Sequence, residues 1–517
     1  MSSNYQQILC FILMLPLGLS AQYSEEIEAL EAKIRLLQAE NTELKSKLAA
    51  SDVTIEEQSK SLSHQEQRIV AFRESEQAAR AEQRRSSGSD LGRDRGPGGA
   101  IALGPFTFGG AIRANYTSGD YDNEFADGVI DGPSRDNGTV LLDTLIFNTA
   151  YDTGNWMGAA EYRFYDNINS FGGTHFLHTL WMGKRLNDGS ELKAGIVEVP
   201  FGLERFGAAY GYFNHLDYYV GLADDRDLGI TYGFSLSDWD IDIGYFLGSE
   251  PEGSGESRNS ARGSYDVVTP SDSTTAGDEN NFLFGNFSPW EEGSQFNLRV
   301  KKQFYRGDFN NTIGASLQYG ELESTDPLER FEDGEMHAGS IFLKSTFGNW
   351  QIKVALTKYE YDIDRLKDGS IYLGYNPDQI VMGGTDTPYF VASRGNIQSV
   401  GLSYTHYPRN IDFIDYIVPY LDYSKINKDG ETNGQYFFLQ SPGFDYKDSE
   451  QISFGSIIGM GNMVIYMDLL FGKGAPMIGN SNSQYFTGAS LNGPPSAGAE
   501  FDNGWQHRFN INFGYYY

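Results

Sequence analysis

The stretch Leu228-Gly229-Ile230-Thr231-Tyr232-Gly233-Phe234-Ser235-Leu236-Ser237-Asp238-Trp239-Asp240-Ile241-Asp242-Ile243-Gly244-Tyr245-Phe246-Leu247 decides the fold class. Leu228, Ile230, Tyr232, Phe234 and Leu236 alternate with Gly, Thr, Gly and Ser. Trp239, Ile241, Ile243, Tyr245 and Leu247 then alternate with Asp, Asp, Gly and Phe. A period of two is the period of a strand with one apolar face. Only Ser237 and Asp238 separate the two runs, which predicts a tight antiparallel hairpin.

Working outward, the same alternation marks sixteen segments, beginning near residues 106, 141, 156, 176, 191, 228, 239, 295, 312, 338, 350, 397, 414, 451, 462 and 506. The connections sort into two kinds. Segments 152–155, 187–190, 237–238, 306–311, 348–349, 408–413 and 460–461 are short and turn-like. Segments 117–140, 200–227, 248–294, 321–337, 361–396, 425–450 and 472–505 are mostly long and polar, with 166–175 the shortest of that kind. A soluble sandwich has no reason to alternate its loops in this way. A transmembrane up-and-down β-barrel does, with short periplasmic turns on one side and extracellular loops on the other. The fold predicted is all-β, an antiparallel barrel over residues 103–517. In hydrocarbon an unpaired backbone group costs several kcal/mol, so a sheet crosses a membrane only by closing on itself.

Composition agrees. The 517 residues include 60 Gly, 33 Tyr and 34 Phe, and mean hydropathy is −0.43. Past the N-terminus no apolar run reaches the ~18 residues of a transmembrane helix. The formal charge of −31 argues against nucleic acid as a partner. Phe509, Ile511, Phe513, Tyr515 and Tyr517 give the last segment one apolar face, opposite Arg508, Asn510, Asn512 and Gly514.

Three segments precede the barrel. Ile8–Leu19 is apolar and is followed by Leu19-Ser20-Ala21, so residues 1–21 read as a secretory signal peptide, though Met1–Gln7 carries no Lys or Arg. The only cysteine, Cys10, would leave with it, removing thiol and disulfide chemistry from the mature chain. Residues 22–84 read as a coiled coil: Ile27, Ile34, Asn41, Leu48, Ile55, Leu62 and Ile69 take position a, and Leu30, Leu37, Leu44, Ser51, Gln58, Gln65 and Phe72 take position d. Such a seam implies oligomerisation. An even strand number returns both barrel ends to one side, which puts the helix in the periplasm. Residues 85–102, rich in Ser, Gly and Arg, read as a linker.

The run Leu192-Lys193-Ala194-Gly195-Ile196-Val197-Glu198-Val199-Pro200-Phe201-Gly202-Leu203-Glu204 resembles the fifth-strand region of the phosphate-selective porin O and P family. The preceding coiled coil and the aromatic final strand are also similar to that family. The resemblance implies a sixteen-stranded trimeric outer-membrane porin of a Gram-negative bacterium. Two departures stand out: the chain ends in Tyr517 where the family commonly ends in Phe, and it is strongly acidic where the name-giving members carry basic ladders. In porins of this kind a loop after the fifth strand folds into the lumen. Here that loop offers Glu204, Arg205, Tyr210, Tyr212, His215, Asp217, Asp224, Asp225 and Arg226, which would set a field across the channel. The alternative is an extracellular loop on the rim.

Side chains expected to face the lumen carry both signs: Arg113, Arg163, Arg299, Lys301, Lys344, Lys353 and Arg508 against Glu161, Asp240, Asp242, Asp422 and Asp468. A slip of one residue would reverse any of these assignments. The acidic connections Glu250–Asn281, Glu321–Glu335 and Asp429–Glu450 read chiefly as solvated loops, with divalent cations bridging lipopolysaccharide as the other reading.

The resulting expectation is passive diffusion of small hydrophilic solutes or ions, anions such as phosphate among them. A general or sugar-permeable porin whose helix tethers the outer membrane to peptidoglycan is the second reading. Expected partners are outer-membrane lipid, lipopolysaccharide, two further copies in a homotrimer, and peptidoglycan. No cofactor and no catalysis are expected. Histidines 64, 175, 178, 215, 337, 406 and 507 are scattered, a G-x-S-x-G elbow is absent, and His175 and His178 would face opposite sides of one strand.

Overall fold

A computed structural model describes residues 100–119, 138–167, 170–211, 215–255, 260–269, 289–326, 328–368, 376–385, 387–432, 444–474 and 505–517. The expected signal peptide, the coiled coil and nearly all of the linker lie outside these residues.

Sixteen strands among the described residues form one antiparallel barrel: β1 (Phe106–Gly119), β2 (Thr139–Asp152), β3 (Trp156–Asn167), β4 (Ser170–Arg185), β5 (Glu191–Glu198), β6 (Arg226–Leu236), β7 (Trp239–Ser249), β8 (Trp290–Arg306), β9 (Phe309–Ser324), β10 (Gly334–Phe347), β11 (Trp350–Asp362), β12 (Arg394–Tyr404), β13 (Tyr416–Asp429), β14 (Ser449–Met460), β15 (Met463–Lys473) and β16 (Gln506–Tyr516). Each pairs with the next, and β16 pairs back onto β1 in a ladder from Ala111↔Tyr516 to Gly119↔Arg508. Closure leaves no open edge, so the wall's backbone groups pair within the wall.

Three starts move outward from their expected positions by four residues or more: β4 begins at Ser170, β8 at Trp290 and β10 at Gly334. The β3–β4 connection, expected over 166–175, shrinks because Asn167 already pairs with Ser170. Strands extend past the alternation because ladder hydrogen bonds continue where polar side chains on both faces hide the period. Ile101–Leu103 is a short strand laid antiparallel on Phe106–Phe108.

The outer face is apolar and exposed. On β9, Leu317 is 60% exposed while inward Ser316 is 2% exposed. On β11, exposed Ile352 and Leu356 flank buried Lys353 and Ala355. Aromatic side chains gather at the short-turn end: Phe106 lies against Tyr151, Phe309 stacks on Phe347, and Trp350 lies against Tyr404, at centroid distances of 4.9, 4.8 and 4.8 Å. Lys184 and Lys302 lie over Trp156 and Trp239 at the same end. Such a girdle suits the polar–apolar boundary of a bilayer.

The interior departs from the expectation that the β7–β8 and β11–β12 connections lie outside as polar extracellular loops. Val199, Phe201, Leu216, Tyr218 and Tyr219 from the β5–β6 connection share one buried apolar cluster with Tyr265 and Val267 of the β7–β8 connection and with Ile380, Met382 and Val391 of the β11–β12 connection. Residues 379–384, 387–392 and 266–267 form a small three-stranded sheet. The solvated reading of Glu250–Asn281 is therefore corrected for residues 260–268. Ser260, Arg262, Ser264 and Asp266 are all buried there, because the Tyr265–Val268 run finds an apolar partner inside.

Candidate functional site: the loop crossing the barrel interior

The β5–β6 connection, residues 199–225, runs along the inner wall of β9 to β13. Its backbone polar groups have no ladder to join, so inward side chains satisfy them. Gly202 N donates to Ser316 Oγ on β9 at 2.9 Å. Tyr210 N and Gly211 N both donate to Asp422 Oδ2 on β13 at 3.0 Å, and Leu216 N donates to Ser424 Oγ at 3.0 Å. Tyr361 Oη on β11 donates to Val220 O at 2.6 Å. At Gly401 on β12 the loop backbone comes so near that a Cβ would lie 2.1 Å from Ala208 O. Only glycine admits that approach.

Charges are arranged on two sides. Toward β10 and β11, Glu204 receives Lys344 Nζ at 2.5 Å and Lys353 Nζ at 2.8 Å. Lys353, fully buried, also sits 4.3 Å from the Tyr210 ring centroid. Toward β3 and β4, Arg205 pairs with Asp224, whose Oδ1 also receives Arg226 Nη1 at 2.9 Å. Glu161 on β3 receives Arg163 Nε at 2.6 Å and lies 3.2 Å from His178 Nδ1. The charges of Arg205 and Arg226 act on Glu161 as well. Adjacent residues Glu204 and Arg205 thus send opposite charges to opposite parts of the wall.

Burial alone would raise the carboxyl groups of Asp224 and Asp217. Around Asp224, Arg205 and Arg226 overcome it and hold the group below the usual carboxylate range. Around Asp217, His215 and the 2.8 Å hydrogen bond from Ser399 Oγ do the same. Burial pushes Asp225 well above that range, and nearby Glu292 and Glu250 add to the effect.

Glu204, Arg205, Tyr210, His215, Asp217, Asp225 and Arg226 all lie within or at the end of this loop. His215, buried, stands 3.4 Å from Asp217. Tyr212 lies outside the described residues. Arg113, Glu161, Arg163, Arg299, Lys353 and Arg508 are buried on the inward face. Arg299 and Lys301 reach Asp242 at 3.0 and 3.5 Å. Asp240 is at the exposed turn end, accepting from Ser235 Oγ at 2.6 Å. Arg113 donates to Thr144 Oγ1 at 3.0 Å. Sequence reasoning missed the uncharged anchors Ser316, Ser399 and Ser424, since an inward serine looks like any other. It also missed the two other inward connections. Tyr265-Asp266-Val267-Val268 and Gln379-Ile380-Val381-Met382 were the available signal: short strand-like apolar runs inside presumed loops.

No family model matches the chain, and no curated protein does. Among solved structures, the chain is similar to the outer-membrane channel DcaP of Acinetobacter baumannii, at 11% identity over 82% of this chain and 99% of that one, with a TM-score of 0.46. It is similar to Salmonella typhi OmpF in complex with daunomycin, at 11% identity over 81% and 100%, with a TM-score of 0.46. It is also similar to a loop L8 deletion mutant of OmpT, an outer membrane protein of Vibrio cholerae, at 13% identity over 80% and 99%, with a TM-score of 0.43. These likenesses are weak, and the fold rests on the strand pairing described above.

Proposed function

We propose that the chain is an outer-membrane porin through which small hydrophilic solutes diffuse passively, with weak preference between anions and cations. The observation that carries this reading is the loop 199–225, held across the inside of a closed wall with opposite charges on its two sides. An apolar exterior fits lipid, and a charged interior fits an aqueous path whose field is set by fixed groups. The inward cations have carboxylate neighbours: Lys344 and Lys353 at Glu204, Arg205 and Arg226 at Asp224, Arg163 at Glu161, Arg299 and Lys301 at Asp242. That pairing favours a weakly selective pore over a phosphate-selective basic ladder. Purified protein in planar bilayers should give discrete conductance steps, with a small reversal potential in asymmetric KCl and little block by phosphate. Absence of steps would defeat the porin reading, and strong phosphate block would restore the anion-selective one.

In the same reading the chain works as a homotrimer in contact with lipopolysaccharide, and residues 22–84 strengthen the trimer and meet peptidoglycan. Deleting 22–84 should leave conductance unchanged and weaken oligomers in crosslinking.

A further inference from the structure

Where the crossing loop rejoins the wall, three carboxylates converge from three segments. Asp225 ends the loop, Asp227 stands at the start of β6, and Asp266 lies in the inward-folded β7–β8 connection. They are 7, 1 and 0% exposed, and one carboxylate oxygen from each lies within 4.8 Å of the others. The Oδ1 atom of each accepts no hydrogen bond among the described residues. Asp266 uses its other oxygen for Arg262 Nη1 at 3.1 Å, and Asp227 its other for Gln295 Nε2 at 3.4 Å. The Asp225 side chain is buried and directed into the group. Glu250 and Glu292 stand close by and are occupied by backbone: Glu250 accepts from Gly263 N and Ser264 N, and Glu292 from Val267 N.

Among the described residues these three buried carboxylates have one ion pair, that of Asp266 with Arg262, and such an excess of buried negative charge takes up either protons or a cation. The donor set is oxygen alone. Cys and His, which zinc and softer metals favour, do not belong to it. Calcium binds carboxylate oxygens at roughly 2.3–2.6 Å in flexible geometry, so two oxygens on one ion stand at most about 5 Å apart. Magnesium demands a tighter and more regular octahedron. The three carboxylates come from three separate segments, with oxygens within 4.8 Å of one another, and calcium's flexible coordination suits such a set better than magnesium's regular octahedron.

We propose that Asp225, Asp227 and Asp266 form an internal calcium site that fastens the crossing loop to the barrel wall and to the inward β7–β8 connection. Through Asp266–Val267, which pairs with Met382 and Gly383, the ion also holds the β11–β12 connection. This clamp is separate from any conduction and stands or falls whether or not the barrel conducts.

The test uses the full-length protein in detergent, stripped with EDTA and titrated with calcium chloride, or with magnesium chloride, by calorimetry. The wild type should bind one calcium per chain at this site, with magnesium at least tenfold weaker. Asp225→Asn should weaken that event at least tenfold. Calcium at a hundred times its Kd should raise the folded-to-unfolded ratio of the wild type about a hundredfold, and that of the variant far less. Without calcium, Asp225→Asn should be at least as stable as the wild type, since it removes a buried charge crowded by Glu250 and Glu292. This separates lost binding from misfolding. Identical calcium binding by wild type and variant would overturn the proposal and place any binding elsewhere on the acidic chain. So would the absence of a calcium event, which would mean that protons neutralise the group, or equal affinity for magnesium.

Discussion

Lys353, fully buried on β11, places its ammonium group 2.8 Å from Glu204 Oε2 in the crossing loop, and the same carboxylate receives Lys344 from β10. Two wall cations thereby depend on one loop carboxylate. Glu204→Gln keeps the shape but leaves both lysines without their counter-charge. The substitution should shift the reversal potential in asymmetric KCl toward anions and cost about 1–3 kcal/mol of stability, the range for a hydrogen bond to a charged partner. Unchanged selectivity would show that Glu204 lies off the permeation path.

Asp422 is the acceptor for two consecutive backbone N–H groups, those of Tyr210 and Gly211. Asp422→Ala leaves both inside the barrel without an acceptor, at about 1–3 kcal/mol each. The loop should come away from β13. Limited proteolysis should then cleave within 199–225 faster than in the wild type, with cleavage of the turns unaltered.

Gly401 lets the loop backbone lie against β12. A methyl group there would sit 2.1 Å from Ala208 O, and backbone cannot yield as a flexible side chain does. Gly401→Ala should displace residues 206–210 at a cost of about 1–3 kcal/mol. Single-channel records should show altered conductance or added noise. An unaltered trace together with unaltered thermal stability would place the loop elsewhere.

Acidification should release the loop at Asp217. Its carboxyl is held below the usual range, so its contribution is complete above the unfolded pKa of about 3.9 and is lost as pH falls through the lower folded value. Loop protection from an acid-active protease should be steady from pH 7 to about 5 and should fall below about pH 4. Asp217→Asn should flatten that dependence.

The two faces of the wall predict opposite responses to charge. Leu356→Arg puts a cation on the exposed outer face of β11 and should cost about 2–4 kcal/mol of folding into lipid vesicles if it lies near the midplane. Equal folding yields for wild type and variant would argue that this face does not meet lipid.

Much of the wall was legible because its signal is local. Alternation in Leu228–Leu247 and Phe509–Tyr517 reports a face, and the sorting of turns from long connections reports the order of strands. Each is a property of neighbouring residues, since side chains in a strand alternate every two positions. The inward orientation of Arg163, Arg299 and Lys353 followed from the same parity. The sequence alone therefore determined the barrel and its strand number.

What those side chains meet was decided only by the closed structure. Nothing near Asp266 in the chain announces Asp225 and Asp227, and nothing near Ser399 or Ser424 announces the loop they hold. The connections 260–268 and 379–392 fold inward because closure creates an interior where Tyr265, Val267, Ile380 and Met382 find Tyr218 and Tyr219. Burial of that kind depends on segments far apart in sequence arriving together, and no periodicity within one segment encodes the arrival.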